Sequence, residues 1–147
     1  MSTFEAATGD GPELPAAETG QRPREVRAAF EGLLQIRRLT DGQATRPAAW
    51  ERRQPVRAVA LALEAAGQPP SAVNDSGTRT ATGYRVLAGD RPGTAVVEWL
   101  GPPGAGAAHQ EEPALTACAT VLERLGWDAL LYRGPRGRRF LEVEPAP

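Results

Sequence analysis

The sequence predicts an α+β fold in which two β-hairpins form an antiparallel four-stranded sheet and flank one long helix, in the order ββαββ. Two observations predict it. First, two segments of alternating apolar residues between positions 84 and 144 each contain a glycine- and proline-rich turn, and their second strands carry the similar sequences Val-Val-Glu-Trp and Phe-Leu-Glu-Val. Second, apolar residues at helical spacing separate the two hairpins. Two or three further helices precede this layer.

Residues 1 to 22 are predicted to form a disordered acidic tail. The first twenty positions carry four acidic residues and no basic one, with glycine and proline interspersed and few large apolar groups. Such a segment cannot bury enough apolar surface to offset the conformational entropy lost on ordering. The alternative is that the tail docks on a partner or on the basic segment that follows it.

Residues 23 to 67 form the predicted helical N-terminal part. The first helix extends from Pro23 to about Leu39. Its apolar residues recur at three- and four-residue spacing, and they are Val26, Ala29, Phe30, Leu33 and Ile36. A short second helix follows, and Pro55 then opens a third helix that Gly67 closes.

Residues 68 to 82 are rich in proline, serine, threonine and glycine, which is typical of a linker. They separate the helical part from the ββαββ layer of residues 83 to 147. Because the helical part alone is marginal for independent stability, we expect residues 23 to 147 to form one domain.

Side-chain alternation assigns the two faces of the predicted sheet. The residues expected to face the helix are Ala95, Val97, Trp99, Arg139, Leu141 and Val143. The helix itself is expected to begin at Glu111, whose charge suits the positive helix end, and to end at Gly126. Val96 and Phe140 lie on the opposite face, so either the N-terminal helices or a second copy in a homodimer should cover them.

Composition excludes several classes of chemistry. All 17 basic residues are arginine, so no lysine can act as a general base, form a Schiff base or hold a phosphate in a Walker-type loop. One cysteine and one histidine exclude an intrachain disulfide and a Cys/His zinc site. We therefore predict no cofactor and no metal. The N-terminus lacks a secretory signal pattern and no segment is apolar enough to span a bilayer, which favours a cytoplasmic protein without a membrane partner.

Three positions could carry chemistry, but each has a simpler interpretation. Glu98 and Glu142 occupy equivalent places in the two hairpins and could share acid/base work, although a solvated sheet face is the simpler reading. His109 lies in a small-residue loop that opens on two glutamates, which would repel an anion. Cys118 lies on an apolar helix stripe, where buried packing is expected. No catalytic residue is predicted.

Basic residues favour a second interpretation, a DNA- or RNA-binding regulator. Between positions 22 and 57 there are nine arginines against four acids. The order of helices followed by a hairpin also imitates a winged helix, although the third helix carries few side chains able to read bases. The expected phosphate contacts are Arg37, Arg38, Arg52, Arg53, Arg57 and Arg91.

The turn of the second hairpin forms another basic site. Its candidate residues for binding a partner or single-stranded nucleic acid are Arg133, Arg136, Arg138, Tyr132 and Phe140. The overall charge of −1 argues against a protein that coats nucleic acid. The sequence therefore favours a small non-enzymatic accessory protein that binds a macromolecular partner, with nucleic-acid binding as the alternative and an enzyme using Glu98 and Glu142 as the third reading.

Overall fold

The computed structural model describes residues 4–14 and 20–147 and confirms the α+β class. The helices are α1 (Gln21–Asp41), α2 (Ala49–Arg53), α3 (Pro55–Ala65) and α4 (Ala107–Arg124). The strands are β1 (Ala72–Val73), β2 (Arg79–Ala81), β3 (Gly83–Ala88), β4 (Ala95–Leu100), β5 (Trp127–Arg133) and β6 (Arg139–Pro145). The order of β3, β4, α4, β5 and β6 agrees with the predicted ββαββ arrangement.

The main sheet has the strand order β3-β4-β6-β5, with all neighbours antiparallel. This order places the second strands of the two hairpins side by side in the centre of the sheet. The first strands, β3 and β5, are the two edges. Helices α3 and α4 pack against the same face of this sheet.

The core lies between that face and the two helices. The predicted inward residues of β4 and β6 are buried in it, namely Ala95, Val97, Trp99, Leu141 and Val143. Residues 58 to 63 of α3 are buried as well, and most of them belong to the same cluster. Helix α1 packs on α3 through a smaller cluster around Val26, Leu33 and Leu61. The N-terminal helices therefore do not cover the sheet face that carries Val96 and Phe140.

Helix α4 begins four residues earlier than the sequence indicated, at Ala107 rather than Glu111. Gly106 adopts a positive φ of 80° just before it, and alanines at positions 107 and 108 favour helix formation. Pro113 consequently lies inside the helix. The early start also buries Glu111, whose side chain reaches the β5–β6 hairpin.

The segment expected to be a linker, residues 68 to 82, contains the small hairpin of β1 and β2. Its turn is organised by Asn74, whose Oδ1 accepts hydrogen bonds from the N–H groups of Ser76 and Thr78, each at 3.0 Å. The composition of this segment indicated a turn. The two strands beside the turn are too short to show an alternating pattern of apolar residues in the sequence.

Residues 4 to 14, here called the N-terminal strap, lie against the body of the protein. The carbonyl of Thr8 accepts a hydrogen bond from Val86 N–H on the edge of β3 at 2.7 Å, and that of Gly11 accepts one from Val73 N–H at 2.9 Å. Asp10 forms ion pairs with Arg79 and Arg85.

This placement differs from the disordered tail expected for residues 1 to 22. Backbone pairing, arginine contacts and the packing of Phe4 and Ala6 against the core clusters order the strap, and these contacts are too distant in sequence for the composition argument to include. Burial raises the pKa of Asp10, but the hydrogen bonds from Arg79 and Arg85 lower it by more, so the pKa lies below its usual range. Residues 1–3 and 15–19 of the expected tail lie outside the described residues.

Replacing Gly9 with alanine is expected to loosen the strap. Gly9 has a φ of +97°, and an added Cβ would lie 2.3 Å from the carbonyl oxygen of Tyr84. We expect backbone strain and the close contact at residue 9 to lower the free energy of unfolding by about 1–2 kcal/mol. The loss is no larger because the strap can detach while the core stays folded. Hydrogen exchange at Val86 N–H should accelerate. Gly11→Ala is the control, since a Cβ there meets nothing within 4 Å, and equal exchange at Val86 in both variants would contradict this account.

Candidate functional site

A solvent-open groove of about 760 Å³ lies where three segments of the chain meet. We call it the arginine groove. Its walls are strap residues 4, 5, 6 and 8, residues 53 to 57 at the α2–α3 junction, and residues 88 to 94 of the β3–β4 turn. Three arginines predicted as phosphate contacts, Arg53, Arg57 and Arg91, line this single cavity.

The three arginines differ in their partners. Arg53 and Arg57 are exposed and form no ion pair with any residue of the described chain. Arg91 extends from the hairpin turn and donates a hydrogen bond to Glu144 at 2.9 Å, with its side chain 65% exposed. A guanidinium that is this exposed can leave a surface carboxylate at little cost. The groove therefore offers two free cations and one weakly held cation.

The N-terminal end of α3 forms part of the same wall. Helix α3 begins at Pro55, and Gln54 before it makes no side-chain capping hydrogen bond. The amide groups of an uncapped first turn carry positive partial charge. This charge adds to that of Arg53 and Arg57 and favours an anion in the groove.

The remainder of the lining is largely apolar. Phe4, Pro55 and Val56 are half-buried and line the groove, and Pro92 is exposed at the turn. Phe4 is fixed by Arg22, whose guanidinium carbon lies 4.6 Å from the centre of the ring. Apolar walls with a few charged groups are typical of ligand-binding clefts.

Hydrogen bonds within the β3–β4 turn fix its backbone, and so they fix the point from which the Arg91 side chain extends. Gly89 N–H donates to the carbonyl of Thr94 at 3.0 Å, and the Thr94 hydroxyl donates to the carbonyl of Arg91 at 2.6 Å. A Cβ on Gly89 would lie 2.2 Å from Oγ1 of Thr94, so the turn requires glycine there.

Acidic groups lie close to the groove and limit what it can hold. Glu5 and Asp90 line it directly, and Glu144 pairs with Arg91. A compact anion can avoid these carboxylates, whereas a long polyanion would approach several of them. This arrangement suits a ligand with few negative charges and some apolar surface.

Arg37 was expected to contact phosphate, but the structure buries it. Its guanidinium donates to both carboxylate oxygens of Glu51, at 2.6 and 2.7 Å, and to the carbonyls of Ala44 and Leu125. The side chain is 1% exposed. It lies on the same helical stripe as Val26 and Leu33, which explains its burial, and it is unavailable to any surface ligand.

The other arginines of the N-terminal part remain on the surface. Arg38 is exposed on α1 and Arg52 is exposed on α2, but neither lines the groove. Helix α3 buries residues 58 to 63, so it does not present a face that could enter a nucleic-acid groove.

The predicted site at the β5–β6 turn is separate from the groove. Arg133 and Arg136 are exposed there, and the rings of Tyr132 and Phe140 stack with centroids 5.8 Å apart. Arg138 is engaged, because it donates to Glu111 at 2.5 Å and to the carbonyl of Trp99 at 2.8 Å. Only part of this predicted cluster is therefore available to a ligand.

The remaining reactive residues lie apart from the groove. Glu98 and Glu142 share the sheet face away from the helices, and Glu98 pairs with Arg85 at 3.3 Å. His109 is exposed in the first turn of α4. Burial raises the pKa of Cys118 to about 12, so this thiol is not poised to act as a nucleophile.

Two negative findings concern the described residues alone. Within residues 4–14 and 20–147, no group of three or more His, Cys, Asp or Glu side chains could hold a metal ion. Over the same ranges, no helix combines the length and apolar composition needed to cross a membrane.

The sequence did not indicate the strap wall of the groove. Phe4 and Glu5 belong to a segment expected to be disordered, and their contacts are with residues more than fifteen positions away. Comparisons with protein-family models, with curated proteins and with solved structures found no match to this chain.

Proposed function

We propose that this chain is a small non-enzymatic interaction protein that binds a short acidic, partly apolar segment of a protein partner in the arginine groove. The observation that supports this most directly is the convergence of Arg53, Arg57 and Arg91 on one cavity with apolar walls. Arginine forms strong charge-assisted hydrogen bonds to carboxylates. Because it keeps its proton in proteins, it suits binding rather than acid/base catalysis.

An acidic segment of a protein fits the groove better than nucleic acid does. The free cations are few and are flanked by Glu5, Asp90 and Glu144, whereas duplex DNA presents a long, regular row of phosphates. The apolar wall of Phe4, Pro55 and Val56 would also have no partner on a phosphate backbone. In a peptide, a leucine or phenylalanine side chain can pack against the apolar wall while a neighbouring aspartate pairs with the arginines.

The test is fluorescence anisotropy with a labelled peptide that alternates aspartate with leucine and phenylalanine. The variant protein carries Arg53→Gln, Arg57→Gln and Arg91→Gln together. We expect it to bind at least about tenfold more weakly than the unaltered protein, a loss of about 1.4 kcal/mol. The interaction should also weaken with added salt, since the arginines are exposed.

Two controls separate this site from general charge attraction. The single change Arg136→Gln alters an exposed arginine on the β5–β6 turn and should leave peptide affinity unchanged. A peptide in which asparagine replaces aspartate should bind poorly. Equal loss with Arg136→Gln, or tighter binding of duplex DNA than of the acidic peptide, would refute the proposed function.

A further inference from the structure

The main sheet has two edges, and only one of them is covered within the described chain. On β3, Thr8, Pro69 and Ser71 form backbone hydrogen bonds to Tyr84 and Val86. On β5, no described residue outside β6 makes a backbone hydrogen bond to residues 127 to 133. The outer edge of β5 therefore presents unpaired N–H and C=O groups.

Apart from the charges of Asp128 and Arg133 near its two ends, β5 has none of the features that discourage pairing with another strand. Its register with β6 continues without a bulge from Trp127 to Arg133, and it contains neither proline nor lysine. Three consecutive apolar side chains are exposed, with Leu130 at 53%, Leu131 at 41% and Tyr132 at 43%. An exposed edge of this length and character is a template for pairing with a strand of another chain.

The hydrogen bonds at both ends of β5 show which backbone groups point outward. Gly134 N–H donates to Arg138, and Ala146 N–H donates to Gly126. Hydrogen-bonded pairs recur at every second residue of an antiparallel ladder. The N–H and C=O groups of the even-numbered residues of β5 therefore point toward β6. The backbone groups of Ala129, Leu131 and Arg133 consequently face the open edge.

We infer that β5 pairs antiparallel with β5 of a second copy of this chain, about a two-fold axis that passes beside Leu131. In this register Leu131 lies opposite Leu131 of the second copy on one face of the sheet. Leu130 lies opposite Tyr132 of the second copy on the other face. Ala129 meets Arg133, and no like charges are opposed. The outward backbone groups then pair, and the two sheets join into one of eight strands.

The self-complementarity of the strand is what favours a second copy over an unrelated strand. Shifting the register by one pair would oppose Leu130 to Leu130 of the second copy, but it would place Tyr132 opposite Asp128 and Trp127 opposite Arg133, so the exposed tyrosine would lose its apolar partner. The arginine groove lies at the β3–β4 side of the sheet, but Arg91 also lines a small cavity with Leu130 and Tyr132 of β5. Arg53 and Arg57 line only the groove, so changes at these two residues test the peptide site independently of the dimer.

Light scattering coupled to size exclusion, at roughly 10–100 µM protein, tests the inference. The unaltered protein should elute with the mass of a dimer. Leu131→Lys and Leu131→Glu should each elute as monomers, because each places two like charges at the axis. An equimolar mixture of the two variants should recover the dimer, because lysine then opposes glutamate.

A matched control is Leu39→Lys, which alters an exposed leucine on α1 and should leave the dimer intact. Circular dichroism of each variant establishes that it is folded, and Leu131 is exposed enough for this to be expected. A monomeric unaltered protein at the highest concentration would overturn the inference. So would a mixture of the two charged variants that remains monomeric.

Discussion

Replacing Glu51 with alanine is expected to lower the free energy of unfolding by about 3–5 kcal/mol, because it leaves the charge of Arg37 buried without its counter-ion. Both side chains are 1% exposed. Glu51 also accepts a hydrogen bond from Ala48 N–H at 2.8 Å at the start of α2. The substitution thus removes an ion pair and a helix cap together, and equilibrium unfolding in urea measures the loss.

Two comparisons make this prediction specific. The double variant Arg37→Met and Glu51→Leu should recover most of the lost stability, since a buried pair replaced by apolar residues of similar size is often neutral. Glu98→Ala breaks the partly exposed pair with Arg85 and should cost no more than about 1 kcal/mol. A loss at Glu51 as small as that at Glu98 would show that the buried pair contributes little.

The buried pair also connects stability to the proposed site. Arg37 on α1 bonds Glu51 on α2 and the carbonyl of Leu125 at the end of α4. Helix α2 leads directly into Arg53 and the α3 wall of the groove. Glu51→Ala is therefore expected to weaken peptide binding as well, while the double apolar variant should retain it.

The strands and the core face could be predicted because their signal is local. Alternation with a period of two identified the inward residues of β4 and β6 without knowledge of strand order. On α1 the same kind of reasoning was less accurate. Ile36 was assigned to the buried stripe but is 42% exposed, while Arg37 occupies the buried position four residues after Leu33.

The groove could be predicted only in part, because its three walls are distant in sequence. Arg53 and Arg57 share a basic segment, and Arg91 was predicted with them as a phosphate contact. Nothing local indicated that α3 packs on the sheet beside the β3–β4 turn, or that the strap closes the third side. Those contacts depend on tertiary packing, which composition and periodicity do not encode.

Replacing Glu111 with glutamine is expected to lower the free energy of unfolding by about 2–3 kcal/mol at neutral pH, because charge-assisted hydrogen bonds are lost. Glu111 is 2% exposed, accepts a hydrogen bond from Arg139 N–H at 2.8 Å and pairs with Arg138. The change also frees Arg138, so the β5–β6 turn should bind an anionic probe such as inorganic phosphate more tightly.

The stability loss should depend on pH in a direction set by the carboxyl group itself. Burial raises the pKa of Glu111, but the Arg139 N–H and the Arg138 guanidinium lower it more, to below its ordinary value of 4.5. A carboxyl with a depressed folded-state pKa stabilises the protein above its unfolded pKa and loses that contribution as pH falls through the folded value. The difference in the free energy of unfolding between the unaltered protein and Glu111→Gln should thus be largest near neutral pH and shrink in acid.

The pKa of Asp10 is also lowered, so both proteins keep a residual dependence of stability on pH. Urea unfolding from about pH 7 to about pH 3 measures the difference, and one that stays constant over this range would rule out ionised Glu111 as the source of the stabilisation.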